Sequence, residues 1–193
     1  MAHHVTLVAA VALLGVVPAI ADAKPSLFPQ TVLAAGGGPS FPTKLDEPPL
    51  WNSQGQTTQR IRLFIGGSTK ASWSVRLDQS QDGRWMGYFR EHDGHRLRPL
   101  VRFSVSGVDV QELEALIAKS KLWEIYPQFW QSTATGPGAI CLDGMTVIFE
   151  TVSSAGYRYS EGNAQCTLAP AQLAVAAKLM RMAGHTDLER LLH

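Results

Sequence analysis

Cysteine is scarce in this chain of 193 residues: only Cys141 and Cys166 occur. One staple at most can form, and a disulfide is the better reading of the pair than a thiol nucleophile. Charge is sparse and almost balanced. Lys and Arg number 17 against 16 Asp and Glu, a net charge of +1, and this lack of a basic excess argues against nucleic acid as a partner. Apart from the apolar run Val5 to Val17, which is too short to cross a bilayer, no stretch could span a membrane. Catalytic signatures are missing as well. There is no Gly-x-Ser-x-Gly elbow, Ser68-Thr69-Lys70 lacks the Ser-x-x-Lys spacing, and no lysine follows Gly36-Gly37-Gly38 at phosphate-loop spacing. No internal repeat is found.

What is present starts with a leader. Val5–Val17 is followed by the helix-breaking Pro18 and the small-x-small site Ala21-Asp22-Ala23, the pattern of a signal peptide cleaved after Ala23. Its n-region carries no Lys or Arg and relies on His3, His4 and the terminal amine for positive charge. No cysteine follows the cleavage site to accept a lipid. The chain is therefore expected to be exported, periplasmic or secreted, where a Cys141–Cys166 disulfide persists. Closing a loop of that length restricts the unfolded chain by about 3.5 kcal/mol in the chain-entropy treatment.

Residues 24–58 carry six prolines and the triple glycine and read as a linker or extended arm. Leu27, Phe28, Phe41, Leu50 and Trp51 are unusual in a free tether. A single domain is expected over 59–184, with a tail at 185–193. In it Ile61, Leu63 and Ile65 alternate with Arg60, Arg62 and Phe64, and Trp73, Val75 and Leu77 alternate with polar residues, as in half-buried strands. Arg84–Arg90 and Arg96–Val105 read as two more, and Pro99 places the latter at a sheet edge or gives it a local bulge. Asp109 and Glu112 predict a capped helix with Leu113, Leu116 and Ile117 as its apolar stripe. Met145–Thr151 and Gly156–Glu161 predict a hairpin turning at Ser153–Gly156, with Met145, Val147 and Phe149 beside Tyr157 and Tyr159 on the core face. A last helix runs from Pro170 to Ala183, stopped by Gly184.

The fold class that follows is α+β, an antiparallel sheet of about six strands in the element order ββββαββα, with helices packed on one face. With its strand-rich start, its helix opening on an Asp and then Leu122-Trp123-Glu124-Ile125-Tyr126, the layout resembles families of uncharacterised secreted bacterial α+β domains. That resemblance supplies no catalytic residues.

The other sheet face carries the chemistry. If the apolar alternation points inward, Arg60, Arg62, Arg76, Arg96, Arg98 and Arg102 point outward, joined by Arg158, and can grip phosphate or carboxylate in two-pronged fashion. A two-residue Asp93-Gly94 turn would set Trp85 against Arg102 and Phe89 against Arg98 on that face. Arginines on a wet sheet face also serve solubility alone. The sequence thus points to a non-enzymatic binding module whose ligand site is Arg96, Arg98, Arg102, Trp85 and Phe89. Its partner would be an anionic envelope component or an acidic protein patch, with no cofactor. The competing reading is a periplasmic hydrolase or metal-binding protein built around His92, Asp93 and His95, although spacing shows no further ligand. The carboxylates Glu150 and Glu161, like Glu112 and Glu114, read as solvent-facing.

Overall fold

A computed structural model describes residues 25–53, 59–67, 70–124 and 144–187. Six strands, β1 (Arg60–Gly67), β2 (Ser72–Gln79), β3 (Trp85–His92), β4 (Val101–Val105), β5 (Met145–Ser153) and β6 (Gly156–Asn163), form one antiparallel sheet in the order β4-β3-β2-β1-β5-β6. α2 (Gly107–Ser120) follows β4 and α3 (Pro170–Met182) follows β6, giving the order ββββαββα. This is an α+β fold. β4, the strand preceded by Pro99, lies at one edge.

One face takes Ile61, Leu63 and Ile65 of β1, Val75 and Leu77 of β2, and Val147 and Phe149 of β5, and buries them under Leu113 of α2 and Ala176, Leu179 and Met180 of α3. The two helices are also clamped together. Lys178 Nζ of α3 donates to Asp109 Oδ1 and Glu112 Oε2 of α2, each at 2.7 Å. Asp109 therefore does not open α2. Ser106 does: its Oγ accepts from Asp109 N at 3.1 Å, and Asp109 stands at the third helical position of the box that the sequence assigned it to begin. α3 starts on Pro170, with Gln172 Oε1 accepting from the Ala169 amide at 2.7 Å, and stops before Gly184 at φ 81°.

The second face is covered too. Residues 25–53 form a short helix, α1 (Gln30–Ala34), and 3-10 turns at Phe41–Leu45 and Trp51–Ser53, and lie across the sheet opposite α2 and α3. Phe28, Val32 and Leu45 pack with Phe64 of β1, Ile148 of β5 and Tyr159 of β6, and Leu50 is likewise fully buried. The approach is close enough to require bare backbone at Gly66, where an added Cβ would fall 2.5 Å from the Phe41 ring.

This second layer explains the hairpin register. A two-residue turn pairs Ser153 with Gly156, setting Phe149 opposite Ser160 and Glu150 opposite Tyr159. Tyr157 and Tyr159 consequently lie on the face away from Met145, Val147 and Phe149, contrary to the sequence expectation. That expectation assumed a single buried face; with both buried, the tyrosines find an apolar surface on the second one. Small residues then fill the helix-side positions: at Gly162 a Cβ would strike Leu168. Cys166 lies just after β6, Cys141 falls outside the described residues, and so do the leader 1–23 and most of the tail.

Candidate functional site

The arginines of the second face divide into two groups. Arg62 and Arg76, expected to face solvent, are held beneath the arm. Arg62 is 0 % exposed, with Nε and Nη2 at 2.7 and 2.6 Å from Glu150 Oε2, and its Nη1 donates to the Pro48 carbonyl at 2.5 Å. Glu47 of the arm pairs with Arg76 and lies 3.7 Å from Arg62, while Ser74 Oγ donates to it at 3.1 Å. Tyr157 donates its hydroxyl to Glu150 Oε1 at 2.6 Å. Burial pushes the Glu150 carboxyl up, opposed by the Arg62 charge and the Tyr157 hydrogen bond; burial likewise pushes the Tyr157 phenol up, keeping it a donor. The network joins arm, β1, β2, β5 and β6, and its charges neutralise one another.

Glu161, also expected at the surface, is 6 % exposed. Its Oε2 accepts from Tyr159 Oη and, at 3.2 Å, from the amide of Gly38, whose φ of 74° suits glycine. No cation pairs with it among the described residues. Burial raises its pKa above the ordinary 4.5, so the folded state holds this proton more tightly than the unfolded chain does. The stability this contributes is present below the ordinary glutamate range and is lost as pH rises through the raised folded value. Urea unfolding should therefore show Glu161→Gln matching the parent at pH 4 and exceeding it at pH 8.

The second group lies at the margin of the arm, on β3, which the Phe41–Leu45 turn still touches, and on the edge strand β4. There Tyr88 stands opposite Arg102. The guanidinium carbons of Arg76 and Arg102 sit 4.6 and 5.9 Å from the Tyr88 ring centroid. Arg90 follows two residues along the same face of β3, diagonal to Arg102. Arg102 is exposed and Arg90 half-buried, and neither has an ion-pair partner among the described residues. Met86, 40 % exposed, and Ser104 continue this surface into an open hollow of about 780 Å³ that is also lined by Trp85, Tyr88 and Arg84.

The β3–β4 register differs from the expected two-residue turn. Asp93 Oδ1 accepts from the amides of His95 and Arg96 at 2.9 and 3.0 Å, stabilising a wider loop, and His92 bridges to Leu97. Trp85 then pairs with Val105 and Phe89 with Val101, so the expected contacts with Arg102 and Arg98 do not form. Phe89 instead belongs to the helix-side core and stacks on His185 with ring centroids 3.7 Å apart, and Trp85 packs against that same core. Arg98 pairs with Asp93 at 2.7 Å, and Arg96, at 3.9 Å from the same carboxylate, is largely exposed. Arg158 lies on the helix side, opposite Thr151.

His92, Asp93 and His95 remain at the loop, but the Asp93 carboxylate is committed to two amides and Arg98. Those amides and arginines hold its pKa down at about 2. His92 Nδ1 accepts from Gly94 N at 3.2 Å, and no group of three potential ligands is found among the described residues. Tyr88 and Arg90 escaped sequence reasoning because their strand has apolar residues on both faces. Glu47 escaped because nothing in a Pro-rich segment marks a buried carboxylate. Glu150 carried a usable signal, a lone acid following Val147, Ile148 and Phe149. The chain matches no protein-family model and no curated protein sequence.

Proposed function

We propose that the protein is an exported, non-enzymatic binding module that holds an anionic component of the cell envelope on the surface of β3 and β4 beside the arm. The observation that carries this reading is the Arg90–Arg102 pair beside Tyr88, two like charges on adjacent strands without carboxylate partners among the described residues. Like charges so placed repel one another, and a bound phosphate or carboxylate removes that penalty through two-pronged hydrogen bonds. Arg96 and Arg98 add positive charge at the neighbouring loop, reduced by Asp93. Met86 and Tyr88 offer an apolar and aromatic surface for the body of such a ligand. Export rests on the leader pattern of residues 1–23, and the Cys141–Cys166 disulfide is proposed with it.

Thermal melts of the oxidised chain against lipopolysaccharide, inorganic phosphate and anionic peptidoglycan fragments test the reading. A ligand at 100 times its Kd stabilises by about 2.7 kcal/mol, and a charge-driven contact weakens as salt is added. Arg90→Ser/Arg102→Ser should abolish the shift while leaving the unliganded melting temperature within a few degrees of the parent. A shift that survives the double substitution, or the absence of any shift, removes this surface as the binding site.

A further inference from the structure

A second hollow, of about 600 Å³, opens on the helix side of the sheet between the end of α2, the Leu122–Glu124 turn and the β5–β6 hairpin. Its volume falls within the range of small-ligand sites. One part of the wall is apolar, with Ile61 and Leu122 buried and Ile117 and Trp123 partly open to the hollow, and Gln59, Thr151 and Ser153 line the rest with polar groups. The rim carries charges of both signs. Lys121 and Glu124 answer each other at 3.8 Å. Arg158 of β6 and Glu114 of α2 do not: both are exposed, both line the hollow, and neither has an ion-pair partner among the described residues.

One guanidinium and one carboxylate, neither paired among the described residues, beside an apolar patch match a ligand with a carboxylate, an ammonium group and an apolar body. We infer that this hollow is a binding site for a small apolar zwitterion, an amino acid or dipeptide. Arg158 takes the carboxylate through paired N–H donors, Glu114 takes the ammonium, and the side chain lies against Trp123 and Ile117. The site is separate from the β3–β4 surface and stands whether or not that surface binds an anion.

Titration of the full chain with L-leucine and L-leucyl-L-leucine, followed by the Trp123 indole proton resonance assigned with Trp123→Phe, tests the site. N-acetyl-leucine and leucinamide, each lacking one of the two charges, serve as the controls. The expected result is saturable binding of at least one zwitterion, with whichever binds more tightly naming the source. Each blocked form and each of Arg158→Gln and Glu114→Gln should weaken it at least tenfold. Both replaced side chains are exposed, so the variants should melt with the parent, and the blocked ligands probe the unaltered protein in any case. No binding of either zwitterion at millimolar concentration, or equal binding of the blocked forms or by the variants, overturns the assignment.

Discussion

Arg62→Met should lower the free energy of unfolding by about 3–5 kcal/mol at neutral pH, the cost of leaving a buried charge without its partner. Methionine fills much of the same space, so little of the loss comes from a cavity. What is left among the described residues is Glu150, 0 % exposed, with the Tyr157 hydroxyl against its charge, and Pro48 with its carbonyl short of a donor. Glu47 retains Arg76 and Ser74. Urea unfolding measures the loss. Adding Glu150→Gln to Arg62→Met should recover part of it, because the residual buried charge is then gone and the Tyr157 hydroxyl keeps an acceptor. A loss below about 1 kcal/mol would mean that Glu150 is protonated in the folded protein and that the pair is not ionic.

Leu45→Ala should cost about 2–5 kcal/mol, in the range of a large-to-small substitution at a fully buried site. Leu45 is 0 % exposed although it comes from a segment of proline-rich composition, and it sits over Phe64 and Ile148. A chain starting at residue 59 carries the argument further. It loses Phe28, Val32, Leu45 and Leu50 together, each worth about 1.5–3 kcal/mol in burial, and uncovers Arg62 and Glu150 as well. Such a chain should show no cooperative thermal transition by near-ultraviolet circular dichroism. A cooperative melt close to that of the parent would mean that the helix-side core suffices and that the arm is an accessory.

The strands were legible because alternation with period two survives whatever covers each face: Ile61, Leu63 and Ile65 are inward under any arrangement with one apolar side. Pro99 at the edge strand and Pro170 and Gly184 at the ends of α3 were legible because the missing amide, the fixed φ and the left-handed stop act within a few residues. The β3–β4 register was not. Local turn preference favoured Asp93-Gly94, but the Asp93 carboxylate accepts from two amides further on and widens the loop, which turns Phe89 and Arg102 to opposite faces. Of the arginines picked out for the ligand surface, Arg102 alone stands exposed there without a carboxylate among the described residues.

The sequence by itself determined the element order, the antiparallel sheet, the ends of α3 and the aliphatic residues of the helix-side core, since these depend on periodicity and on the backbone limits of Pro and Gly. Only the tertiary structure decided that the other face is also buried, that Arg62, Glu150 and Glu161 are interior, and that Arg90, Arg102 and Arg158 have no ion-pair partner among the described residues. The physical reason is that the charge state and exposure of a side chain depend on what crosses over it. Glu47 lies 15 residues before Arg62 and Glu150 lies 88 after it, and no local pattern records that the three meet.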